Sequence, residues 1–203
     1  MGDPTTGVWP TLQSLGAMGF LEEPVTELRL TSLGTMATEI NEGHPILMTQ
    51  AYAQGLFKEL SAEMILAVLT AFLQEGKEMP SLQTLDVPRE VIDVLERIQS
   101  IAAENQGVEF KHPPRNSYWE LHTAWVEPVW LWLQGSTLQQ LCMDYDCYEG
   151  NFTRLLSKVG NILEELRSLA TLAKDTEMLE KMRGVEEKLM RDMAVCDSLY
   201  LRL

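Results

Sequence analysis

CYEGNFTRLLSKVGNILEELRSL, residues 147–169, is the stretch on which the reading of the fold turns. Phe152, Leu155, Leu156, Val159, Ile162, Leu163, Leu166 and Leu169 recur at three- and four-residue steps. In a helix they share one face and need a surface to bury against. Arg154, Lys158 and Asn161 follow at i, i+4 and i+7, within about 60° of one another and on the side away from that face. Solvation is the default for Arg and Lys, so the stripe alone marks only the outward side of a core helix.

The segments around it supply the partner surfaces. Thr31 is a natural N-cap for a helix to about Asn41, and Pro45 stands at a first helical position for residues 45–57. Ser61 caps the run from Met64 to Leu73, which is apolar on most faces and should lie at the centre of a bundle. Gln74-Glu75-Gly76 closes it, and a Pro-bearing connector leads to Pro88. Val91, Val94, Leu95, Ile98 and Ile101 set the inner face of a helix to Asn105, and Pro113-Pro114 excludes its continuation. Tyr118 to Leu133 reads as one helix kinked at Pro128, with Trp119, Trp125, Trp130 and Trp132 spaced too irregularly for one stacking face and therefore mostly core. A short helix over Ser136–Asp144 precedes the quoted stretch. A last helix, about Asp175 to Leu201, turns Met178, Leu179, Met182, Val185, Leu189, Met193 and Val195 inward and runs antiparallel to it. Ahead of Thr31, a loose lead-in, a short helix through Leu12, Leu15 and Met18, and an alternating strand from Val25 to Leu30 make a small α/β cap.

Composition excludes several classes. The chain has 203 residues, 45% of them hydrophobic, and a net charge of −14. Residues 1–150 hold 7 Lys and Arg against 21 Asp and Glu, whereas 151–203 hold 9 against 9. Phosphate neutralisation supplies most non-specific nucleic-acid affinity, so a free chain this acidic should bind RNA poorly except along a local groove. Cys142, Cys147 and Cys196 form no CxxC pair, and His44, His112 and His122 are scattered, so no zinc-ligand spacing exists. No secretory or membrane-spanning apolar run occurs, which predicts an intracellular chain with reduced thiols and no membrane partner.

Tyr148-Glu149-Gly150, Arg154, Lys158 and Ile162-Leu163-Glu164-Glu165-Leu166 resemble the C-terminal helical domain, the DSHCT domain, of the DExH-box RNA helicases that feed the RNA exosome. Further blocks resemble it in order: Gly55-Leu56-Phe57 with Leu60 to Glu63, Phe72 to Glu75, Trp132 to Gly135, Leu141-Cys142, and Arg191-Asp192 with Ser198 to Leu201. Leu30-Thr31-Ser32-Leu33-Gly34 is similar to an LTxxG phrase of the winged-helix domain that precedes the bundle in that family. The resemblance implies an all-α bundle over 43–203 with a long ratchet-like helix. Residues 1–42 would be a lead-in and a small α/β remnant of a winged helix, or, read from the residues alone, simply a cap.

The same resemblance implies a function. The ratchet helix lines the exit path of single-stranded RNA beneath the motor domains, so Arg154, Lys158 and Asn161 would face the strand. Glu75 stands where the family carries an acidic residue that faces the bases from the opposite side. Lys158 replaces the family's usual Arg, which keeps the charge but loses the planar fork. Ser157 replaces a commonly basic residue, and Gly160 costs about 1 kcal/mol against Ala in a helix. The implied partners are single-stranded RNA, helicase motor domains in cis or trans, and exosome-associated proteins, in the nucleus or cytoplasm. The alternative class is a docking module without RNA contact, which uses the acidic first 150 residues to meet a basic partner.

A motor needs a GxxxxGK[ST] loop and an acidic magnesium box, and neither occurs in these residues. No GxSxG elbow is present either. The chain therefore needs no cofactor of its own, and ATP and magnesium would belong to motor domains beyond it. The purified chain should show no RNA-stimulated ATP hydrolysis. Turnover that survives controls for contaminating ATPase would overturn this reading.

Overall fold

A computed structural model describes residues 8–75, 79–109 and 116–192 of the chain. The helices in chain order are α1 (Val8–Ala17), α2 (Ser32–Ala37), α3 (Pro45–Ala53), α4 (Ala62–Thr70) and α5 (Arg89–Val108). They are followed by α6 (Val126–Leu133), α7 (Leu138–Asp144), α8 (Glu149–Leu172), α9 (Thr176–Lys181) and α10 (Val185–Leu189). No β-sheet occurs among the described residues, and the fold is all-α.

The bundle is built around α4. Ile65, Leu66, Ala67, Val68 and Leu69 are fully buried, and α5, α6 and α8 pack on the different sides of this short helix. A helix that is apolar all round has no solvent face, so truncating Leu66 or Leu69 to Ala would cost about 2–5 kcal/mol. Helix starts follow the local chemistry of the sequence. Thr31, Ser61, Thr137 and Asp175 each accept an amide of the first turn, and Pro45 sits where its missing N–H is not needed.

Four elements differ from expectation, each for a local reason. The strand over Val25–Leu30 is instead a 3-10 turn at Val25–Glu27 with Leu28 in the left-handed region, because Glu27 and Leu28 donate back to Pro24 O and Val25 O. A single antiparallel bridge, Leu21 to Leu30, remains, flanked by Glu22 N–H to Arg29 O and Thr31 N–H to Phe20 O. α2 lies close against this turn, since a Cβ on Gly34 would meet Phe20 O at 2.1 Å. α2 also stops at Ala37, because Thr38, Glu39 and Ile40 tighten into three-residue turns. The cap shares the bundle's core through Phe20 and Ile40.

The expected helix from Tyr118 to Leu133 is two pieces. Residues 116–119 form a 3-10 turn, the chain then extends so that His122 N–H reaches Ala71 O, and α6 begins at Val126. Pro128 thus falls in the first turn of α6, where no backbone hydrogen bond is lost, and it starts the helix rather than kinking it. Trp119 and Trp132 are buried, and Trp125 and Trp130 are half-buried against the core. The last helix is broken between α9 and α10, where Gly184 has φ 73°. Met178, Met182, Val185 and Leu189 still point inward along α8, in antiparallel order. The expected positions Met193 and Val195, the Pro113-Pro114 break and the terminal block Ser198 to Leu201 lie outside the described residues.

His44 is the N-cap of α3 although imidazole is not a usual capping group. Its Nδ1 accepts from Leu47 N–H at 3.1 Å, which leaves Nε2–H to donate to Tyr118 O at 2.8 Å. Burial lowers its pKa to about 4, outweighing the backbone bonds that favour the cation. The folded pKa lies below the unfolded value of 6.5, so this group stabilises the fold above pH 6.5 and loses that contribution as pH falls toward 4. The full effect is about 3 kcal/mol. Urea midpoints measured from pH 7 to 4 should fall in the wild type and fall less in His44→Asn, which keeps a capping side chain without the titration; equal slopes would refute the assignment.

Candidate nucleic-acid interface

α8 is 24 residues long, about 36 Å, and its two sides are sharply divided. All eight apolar positions from Phe152 to Leu169 are buried. Arg154 and Asn161 are exposed, and Lys158 keeps 34% of its side-chain surface. Arg154 and Lys158 are one helical turn apart, so two cationic groups stand within about 6 Å along the axis.

Glu75 approaches this stripe from another part of the chain. α4 ends at Thr70, and Phe72 and Leu73 remain buried, which anchors the turn that carries Glu75 outward. The Glu75 carboxylate accepts directly from Lys158 Nζ. Glu42 Oε1 lies 4.0 Å from the same ammonium, so Lys158 sits between two carboxylates. The structure therefore brings Glu75, Lys158 and Arg154 to one side of the molecule, with Asn161 one turn beyond. Lys158 is partly neutralised there and contributes little to a positive strip; Arg154 carries it.

The surrounding cations are already engaged. Arg167 bonds Glu164, Glu186 at 2.6 Å and Met182 O at 2.7 Å, and those acids hold its pKa high. Arg183 pairs with Glu180 at 2.9 Å, and Lys188 with Glu63. Arg191 lies 3.8 Å over the Trp132 ring and donates to Trp132 O and Ser136 O. Arg154 alone among the described arginines after residue 150 forms no ion pair or hydrogen bond with described residues.

Sequence reasoning missed Glu165 and Glu42. Glu165 lies eleven residues after Arg154, on the same stripe, and its carboxylate takes the amides of the loop before α3. Asn41 N–H donates at 3.0 and 3.2 Å to its two oxygens, Glu42 N–H donates to Oε1, and Gly43 N–H reaches Oε2 at 3.4 Å. This bond set ends the turn after α2 and holds Glu42 beside Lys158. Extending the three- and four-residue spacing by one step would have found Glu165; nothing in the sequence marks Glu42. Among the described residues no group of three His, Cys, Asp or Glu side chains could hold a metal ion, and no helix is long and apolar enough to cross a membrane.

The described residues thus form a helical bundle whose longest helix turns a polar stripe outward. The DSHCT (NUC185) domain model matches residues 27–196, and the chain belongs to that family. It is 30% identical over 170 residues to the helicase C17H9.02 of Schizosaccharomyces pombe and 29% identical over 172 residues to the human exosome RNA helicase MTR4. Each match takes 83% of this chain and 16% of the relative. The Arabidopsis thaliana DExH-box ATP-dependent RNA helicase DExH11 is 24% identical over 173 residues, 83% of this chain and 13% of that protein. The chain thus spans about a sixth of the length of the first two relatives.

Replacing Glu165 by Gln leaves one acceptor oxygen for three amides. Loss of charge-assisted bonds to a partly buried loop should lower stability by about 1–3 kcal/mol. Amide exchange at Asn41, Glu42 and Gly43 should accelerate in the same variant; unchanged exchange would mean that water already serves these groups.

Proposed function

We propose that this chain is a non-catalytic module of an exosome-linked RNA helicase and lines the path of single-stranded RNA during unwinding, processing and decay. The observation that carries the reading is the meeting of Glu75 with the α8 stripe from 83 residues away, beside an Arg154 whose guanidinium bonds none of the described residues. Arg154 would contact phosphate, Asn161 would add a neutral polar group, and Glu75 with Lys158 would meet base edges. Motor domains, supplied in cis or trans, would bring ATP and magnesium. The work would be intracellular, in the nucleus or cytoplasm, alongside exosome-associated proteins.

A second reading, docking without RNA contact, is favoured by one feature. Lys158 is already paired with Glu75, and the first 150 residues carry 21 acids against 7 bases. Such a surface would steer a basic partner.

The two readings separate on salt dependence. Lys158→Glu would set three carboxylates together and confound folding with binding, so Arg154→Glu with Lys158→Gln is the cleaner variant. Binding of a fluorescent uridine decamer by the full chain at low salt should weaken, and its log-log salt slope should flatten by roughly one to two units. Unaltered affinity with an intact circular dichroism spectrum would remove the RNA-path reading and leave docking.

A further inference from the structure

A cleft of about 280 Å³ opens beside the Glu42–Lys158 pair. Its walls include His44, Gln74, Tyr118 and His122, with Glu42 and Lys158 among the lining groups. The His44 and Tyr118 rings, 4.4 Å apart between centroids, give it an aromatic side. His122 Nδ1 is buried and has no hydrogen-bond partner among the described residues. An unpaired buried nitrogen in a residue of the cleft wall calls for a partner that the described residues do not supply.

We propose that this cleft is a pocket for one guanine base of the strand on α8, read by Glu42 and Lys158. The inference rests on the RNA-path reading above and adds a specificity that the reading does not contain. The edge chemistry selects the base. A carboxylate only accepts and an ammonium only donates. Guanine offers the O6 acceptor next to the N1–H and N2–H donors, so Lys158 can donate to O6 while Glu42 accepts both N–H groups in a bidentate pair. Uracil and cytosine each place an acceptor against one of the two Glu42 oxygens when the other is satisfied. Adenine has a single amino donor and no N1–H. The 4.0 Å between Lys158 Nζ and Glu42 Oε1 is short enough for one base edge to touch both. The Glu42 backbone is fixed by Glu165, so the carboxylate is presented rather than searched for.

Inosine isolates the claim, because it keeps O6 and N1–H and lacks only the N2 amino group. Three decamers serve as probes for the full chain: all uridine, uridine with one central guanosine, and the same strand with inosine. The guanosine strand should bind about fivefold or more tightly than the other two, the usual discrimination of a good bidentate contact. Glu42→Gln should bring the guanosine strand to the level of the others, since a carboxamide has one acceptor oxygen. The Glu42 side chain is not needed for the loop bonds, so this variant should melt like the wild type; His122→Leu, which removes the orphan nitrogen, should also lower the guanosine advantage. Equal binding of guanosine and inosine strands by the wild type would overturn the pocket, as would a guanosine advantage that survives Glu42→Gln. Either result would leave the RNA path intact if the Arg154 variant still flattens the salt slope on all-uridine RNA, whereas loss of that salt effect would remove the path itself.

Discussion

One carboxylate joins the framework to the surface. Glu165 projects from a helix whose opposite face is fully buried, and it gathers the amides of Asn41, Glu42 and Gly43. Three backbone N–H groups at a loop need acceptors, and a charged acceptor satisfies them more strongly than water or a neutral side chain. The position of Glu42 depends on that clamp, and the entry into α3 through His44 follows directly after it. Because α8 cannot rotate without exposing Leu155, Leu156, Val159 and Ile162, the clamp point is fixed by the core. A hydrophobic constraint thereby sets the geometry of a polar site.

The electrostatics around Lys158 differ from those of a simple phosphate groove. Two acids within reach of one lysine give the spot a net negative balance, and a phosphate placed there would meet repulsion that the ammonium only partly offsets. Groups that both donate and accept suit it better, and base edges are of that kind. Arg154, a turn away and without a carboxylate partner among the described residues, would be the place for phosphate on the proposed reading. On the proposed reading the stripe would divide its labour along the helix axis, and a Lys in the middle position is compatible with that division, since a point donor between two acceptors needs no planar fork.

Much of this was legible in the sequence because it depends on local periodicity and caps. The eight apolar positions of α8 are all buried, α4 is central, and the caps at Thr31 and Ser61 and the Pro45 start stand as read. What was not legible depends on long-range partners. His44 acts as a cap only because Tyr118 O, 74 residues away, fixes its tautomer. The alternation of Val25 to Leu30 looked like a strand, but Val25 is the one buried residue of the six and pairing with residues 20–22 is limited to a single bridge at Leu30. Pro128 was misread as a kink because the helix start depends on where the extended segment at His122 leaves α4. Glu42 carries no motif and becomes visible only when the loop folds over Lys158.

The break at Gly184 has a consequence for α8. A continuous last helix would run straight past the long helix, but the left-handed glycine lets the chain turn while Arg167 takes the Met182 carbonyl and the Glu186 carboxylate on either side of the bend. α10 then delivers the Leu189 carbonyl to the Trp132 indole at 2.8 Å and Arg191 to the face of the same ring. Trp132 in turn packs edge-on against Phe152 of α8, 5.9 Å between centroids. The N-terminal end of α8, two residues before Arg154, is therefore held by α6 and α10 together, while its later turns are held by Glu165 and Arg167. Between these two anchored regions lie Arg154, Lys158 and Asn161, where among the described residues the Glu42 and Glu75 carboxylates meet the middle of the stripe at Lys158. Rigid ends and an open middle are what a surface needs if a flexible strand is to pass over it without deforming the helix beneath.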